Sequence, residues 1–113
     1  MDINLGCPAP SLKREGAATA LAKDVSRVEE ILTVARKATG LPLSAKIRLG
    51  QETNPKKIMD FCFMLEDSGV DYLFIHARFD GEKFCRKPKW RLIALISTRL
   101  NVPVLANGEH FYC

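Results

Sequence analysis

Short runs with apolar or β-branched cores recur along this chain, each followed by a helical pattern. The intervals from Leu43–Leu49 to Tyr72–Ala77 and on to Val102–Ala106 are about thirty residues, the length of a βαβ unit. Such units build a parallel sheet with helices packed on it. A further run, Asp2-Ile3-Asn4-Leu5, precedes them at an interval about ten residues longer, and the extra stretch follows Cys7 directly. The expected fold is α/β. Each of the four strands ends in polar chemistry: Asp2 and Asn4 before Gly6-Cys7-Pro8, Lys46 and Arg48, His76 and Arg78, and Asn107-Gly108.

Three amphipathic helices separate the strands. In the first, Val28, Ile31, Leu32 and Ala35 recur at helical spacing, with Asp24 or Ser26 as cap and Gly40 as stop. Asn54-Pro55 opens the second, whose apolar stripe is Ile58, Phe61, Cys62 and Leu65 before Gly69. Pro88 introduces the third, with Leu92, Ile93 and Ile96 on its inner face. The stretch from Pro8 to Lys23, with Gly16-Ala17-Ala18, suits a close-packed loop or short helix over a site. Loops at the carboxyl ends of parallel strands are where active sites form, in open sheets and closed barrels alike.

The 113 residues suffice for one modest domain, and no apolar run approaches the ~18 residues of a membrane span. The four cysteines (Cys7, Cys62, Cys85, Cys113) include no C-x-x-C pair, which argues against a disulfide framework or a metal site. No basic start with an apolar run marks a signal peptide, so a reduced, cytoplasmic compartment is expected. A net charge of +4 is weak evidence for an anionic partner. Lys83, Arg86, Lys87, Lys89 and Arg91 surround Phe84 and Trp90. They read either as a phosphate-backbone contact or as a solvated loop and first helical turn with Trp90 tucked beneath.

Lys46 lies inside a strand of a kind normally covered on both faces, and lysine is almost never buried without a partner. It is paired with a carboxylate such as Asp2 on a neighbouring strand, or it is aimed at an anionic ligand. Arg48, two residues on, shares its face. His76 and Arg78 repeat that arrangement; a histidine in this position is a hydrogen-bonded core residue or a ligand contact. Asn107-Gly108 marks a turn, or a glycine that lets backbone approach a phosphate closely. Cys7 has three readings: a small hydrophobe, a thiolate nucleophile or a general acid. A thiol with a pKa near 8.5 is mostly protonated at neutral pH, and no Cys–His pairing signature is visible, which favours the acid.

Asp2-Ile3-Asn4-Leu5-Gly6-Cys7-Pro8, Lys46-Ile47-Arg48-Leu49-Gly50, His76-Ala77-Arg78 and Asn107-Gly108, in this order and spacing, resemble the tRNA-dihydrouridine synthases. The resemblance covers essentially the whole chain and implies an FMN-dependent (β/α)8 TIM-barrel enzyme. In that family reduced FMN, recharged by NADPH, delivers a hydride to C6 of a tRNA uridine, and the motif cysteine protonates C5. Carried over, Cys7 is the acid and Asn4 contacts the uracil or flavin site. Lys46 sits by the isoalloxazine ring, where its charge stabilises the reduced flavin. Arg48 and His76 line the flavin and uracil pocket, Arg78 is with Asn4 and Arg48 a substrate contact, and Asn107 and Gly108 lie near the FMN phosphate. The substrate partner is tRNA, with no membrane and no metal.

Three positions depart from the family pattern. Gly16-Ala17-Ala18 stands for Gly-Ala-Gly, Phe79 for the threonine after His-x-Arg, and Glu109 for the aspartate after Asn-Gly. By the family's order residues 1–113 form a central fragment of the FMN-binding domain, a partial barrel from about the fourth strand to the seventh. The other strands and the C-terminal helical tRNA-binding domain are then absent, and the fragment alone is expected to be inactive. Two other readings are a different FMN barrel oxidoreductase, such as a dihydroorotate dehydrogenase relative, and a non-catalytic RNA-binding remnant.

Overall fold

The computed structural model describes residues 1–6, 14, 16, 19–50, 55–78 and 89–107. Cys7, Gly108, Ala17 and Ala18 of the Gly-Ala-Ala stretch, and the basic residues Lys83, Arg86 and Lys87 fall outside them, so the expectations placed there concern positions outside the described residues. In chain order the elements are β1 (Asp2–Asn4), α1 (Thr19–Ala22), α2 (Val25–Ala38), β2 (Ser44–Arg48), α3 (Pro55–Asp67), β3 (Tyr72–His76), α4 (Trp90–Arg99) and β4 (Val104–Asn107). The strands form one sheet in the order β1-β2-β3-β4, every pair parallel. The α/β architecture expected of a partial barrel is therefore present, as an open arc with β1 and β4 at its edges.

The alternation of the strands sorts their side chains. Leu5, Ala45, Ile47, Leu49, Leu73, Ile75 and Ala77 point to one face and are buried there. On that face they meet Val28 and Leu32 of α2, Ile58, Cys62 and Leu65 of α3, and Ile93 and Ile96 of α4. The helical stripes read from the sequence thus supply the core. Parallel crossovers are almost always right-handed, so a sheet whose strands follow chain order receives all its helices on the same side. The other face carries Asn4, Lys46, Phe74, His76, Leu105 and Asn107.

Asp24 caps α2, its Oδ1 accepting from the Arg27 N–H at 3.2 Å. Gly69, with φ +101°, ends the turn after α3 in the left-handed region that favours glycine. The Arg36 side chain lies against that glycine, its Cδ 2.6 Å from where a Cβ would stand. From there the guanidinium donates to four oxygens: Gly69 (3.0 Å), Asp71 Oδ2 (2.8 Å), Thr39 (3.0 Å) and Leu41 (2.6 Å). Asp71 Oδ2 also accepts from the Leu43 N–H at 2.8 Å. One arginine thereby ties the end of α2, the approach to β2 and the approach to β3 together at the amino ends of the strands. Glu66 of α3 makes a similar link, accepting from the N–H groups of Asn101 (2.8 Å) and Val102 (3.3 Å) ahead of β4.

The Leu43 N–H and the Arg36 guanidinium hold the Asp71 carboxyl below its ordinary value. A carboxylate lowered by folding contributes stability above its unfolded value near 3.9, and that contribution is lost as pH falls through the folded value. Asp71→Asn should therefore lower the melting temperature at pH 6, and the gap to the unaltered protein should narrow on acidification below about pH 4. A gap that stays constant from pH 6 to pH 3 would contradict the assignment. Arg36→Met, which keeps the stem and loses the donors, should cost about 2 kcal/mol in urea unfolding, since the guanidinium's bonds are charge-assisted.

Candidate active site

Two rows of side chains cross the open face toward the carboxyl ends of the strands. Asn4, Lys46, Phe74 and Leu105 are register partners in one row, and Arg48, His76 and Asn107 in the next. Adjacent strands of a sheet stand about 4.8 Å apart, so each row spans no more than a small planar ligand. Lys46 is exposed. It does not pair with Asp2, which lies at the amino end of the face and accepts from Ser44 Oγ at 2.9 Å. Of the two readings of Lys46, the pairing with Asp2 is not realised, and the one-sided placement of the helices leaves its face open among the described residues.

The end of β1 runs close against β2. The Leu5 N–H donates to the Lys46 carbonyl at 2.8 Å, and a Cβ on Gly6 would sit 3.3 Å from the Ile47 carbonyl carbon. A side chain there would require β2 to give by a few tenths of an ångström, so glycine eases the approach. Asn4 closes the turn, its Oδ1 accepting from the Gly6 N–H at 3.1 Å, a local bond typical of asparagine before a turn. Glycine and asparagine thus set the direction in which the chain leaves for Cys7.

Past the end of β3 the ladder continues. The Ala77 N–H donates to the Asn107 carbonyl (3.0 Å) and the Leu49 N–H to the Arg78 carbonyl (3.0 Å). The Lys89 N–H returns to the Ala77 carbonyl (2.7 Å), which brings the first turn of α4 back to this end of the sheet. Trp90 is there 40 % exposed, not tucked beneath the turn as one reading of the basic stretch had it. Arg48 is only 5 % exposed, and Arg78 is fully buried, its Nη1 3.0 Å from Nε2 of the half-buried His76. Period two alone places His76 and Arg78 on one face; it does not show the arginine lying behind the histidine.

Lys46, Arg48 and Arg78 make this end of the face cationic, and no carboxylate stands on that face of β2, β3 or β4 among the described residues. The chemistry suits an anionic ligand. A cavity of about 190 Å³ lies instead on the helix side, lined by Leu5, Val25, Ile47, Arg48, Ile58 and Phe61 among others. Its walls are mostly apolar, and of the polar rows only Arg48 lines it, while Lys46, His76 and Asn107 do not, so the polar rows mark the candidate site. Among the described residues no group of histidine, cysteine and carboxylate side chains is placed to hold a metal ion, and no helix is long and apolar enough to cross a membrane.

The family model for dihydrouridine synthase matches residues 1–113. The chain belongs to the dihydrouridine synthase family. It is 39 % identical over 112 residues to a probable tRNA-dihydrouridine synthase of Helicobacter pylori strain J99, covering 96 % of this chain and 33 % of that protein. It is 33 % identical over 109 residues to tRNA-dihydrouridine synthase B of Klebsiella pneumoniae, covering 96 % of this chain and 34 % of that protein. To a probable tRNA-dihydrouridine synthase 1 of Synechocystis it is 31 % identical over 111 residues, covering 98 % of this chain and 31 % of that protein. The chain thus spans about a third of the length of the curated relatives it matches.

Cys62 takes no part in the site. It is buried in the core on α3, and burial pushes its thiol up to about 12, which keeps it protonated and unreactive at neutral pH. Alkylation at pH 8 followed by peptide mapping should leave Cys62 unmodified in the folded protein and modify it in denaturant. Equal labelling in both conditions would refute its burial.

Proposed function

We propose that this chain is the site-bearing part of a flavin-dependent enzyme that reduces uridine in tRNA to 5,6-dihydrouridine. The observation that carries the reading is the cationic end of the open face, where exposed Lys46 stands beside Asn4 and Phe74, next to the row of Arg48, His76 and Asn107. An anionic planar cofactor such as FMN fits these residues: cations for its charge, an aromatic side chain in the same row, and Asn107 with Gly108 for its phosphate. The match to the family supports the reaction class, and the names of the relatives support tRNA as the substrate.

When bound, reduced FMN supplies the hydride that C6 of the uracil accepts, and NADPH is the reductant that restores it. The chain's own residues do the rest. Lys46 holds positive charge where the cofactor gathers negative charge, without reorganisation at the moment of reaction. His76 holds the cofactor's polar edge and Asn107 its phosphate, and Asn4 and Arg48 orient the uracil. Cys7, a thiol protonated at neutral pH, gives its proton to C5 as C6 receives the hydride, so the C5–C6 double bond is saturated with no net charge left on the ring. Exposed Trp90 and Arg91, with the basic residues before them, offer aromatic and cationic contacts to the RNA.

Cys7→Ala in the whole protein should lower dihydrouridine formation ~10²–10⁴-fold while NADPH still reduces the bound flavin. An undiminished rate would remove Cys7 from the acid's role, and loss of flavin binding would make it structural. The 113-residue chain alone should release FMN during gel filtration, because four strands present only part of a flavin pocket. Flavin absorbance that co-elutes with it would show that these strands suffice.

A further inference from the structure

The contact between Arg78 and His76 fixes more than a position. Arg78 is fully buried, and its Nη1 lies 3.0 Å from His76 Nε2. A guanidinium carries donors only and is not deprotonated in proteins, so in this pair the arginine donates and Nε2 accepts. A ring nitrogen that accepts carries no proton, and the proton of the neutral ring then sits on Nδ1.

We infer that Arg78 is a positioning residue that locks His76 as the neutral Nδ1–H tautomer, making Nδ1 the one donor of the ring. The surroundings act in the same sense. Arg48 on β2 and Asn107 on β4 are the register partners of His76, Lys46 stands one row back on β2, and Phe74 precedes it on β3. Among the described residues these are two cations, an amide and an aromatic ring, and the cations disfavour an imidazolium. Protonating Nε2 would break the bond to Arg78 and set two cations together in a buried place.

A consequence for the reaction follows, and this part rests on the function proposed above. A histidine held in this tautomer cannot serve as a proton donor without leaving Arg78. It therefore leaves proton delivery to another residue.

The test is ¹⁵N NMR of the whole protein, ligand-free, with labelled histidine and labelled arginine, His76 being assigned by its loss in His76→Gln. At pH 7.5 the expected spectrum has a protonated Nδ1, a bare Nε2 and a coupling across the hydrogen bond from Arg78 Nη1 to Nε2. In Arg78→Met the coupling should disappear and the ring should relax to the mixture of tautomers of an unconstrained imidazole. A proton on Nε2 in the unaltered protein overturns the inference whether or not the variant folds, and so does a folded Arg78→Met protein that keeps the single Nδ1–H form. Because the tautomer is read without ligand, a failure of FMN to bind would count against the proposed function and leave this result standing.

Discussion

A parallel sheet whose strands follow chain order receives every helix on one side, and the rest of this structure depends on that constraint. The right-handedness of strand–helix–strand crossovers sends α2, α3 and α4 to the same face, where the apolar half of each strand meets the apolar stripe of each helix. The opposite face is thereby free to carry residues that a doubly covered sheet would exclude, Lys46 foremost among them. A lysine in the middle of a parallel strand conflicts with the usual burial of such strands only while both faces are assumed to be covered.

The two ends of the sheet are built for different work. At the amino ends Arg36 and Glu66 gather the loops with charge-assisted bonds to backbone groups, and Asp71 is drawn into the same cluster. These bonds satisfy loop carbonyls and N–H groups that have no partner in a helix or strand. At the carboxyl ends the backbone is brought close by Gly6, and the polar side chains collect in two rows. The arrangement matches the general division of barrel proteins, in which one rim stabilises and the other does chemistry.

Much of this could be read from the residues. The helical periods of α2, α3 and α4, the caps at Asp24 and Gly69, and the alternation in β2 and β3 are local properties that neighbouring residues enforce on one another. The expected strand Leu43–Leu49 is realised as Ser44–Arg48, and Val102–Ala106 as Val104–Asn107, shifts of the size at which strand ends fray into loops. The common face of Lys46 and Arg48, and of His76 and Arg78, followed from period two alone. The role of Arg36 did not. Its four acceptors lie as far as 35 residues away in sequence, and an arginine in the last turns of a helix looks the same whether it is solvated or stapling.

By itself the sequence determined the α/β class, the family and the residue types at each strand end, because periodicity and short motifs are written in contiguous residues. Only the tertiary structure decided that Lys46 is exposed, that Arg48 and Arg78 are buried, that Trp90 is not, and that Arg78 lies against His76. The physical reason is common to all four. Burial and hydrogen-bond pairing depend on which face of the sheet the helices cover and on register between strands about thirty residues apart, and neither quantity is carried by any one segment of the chain.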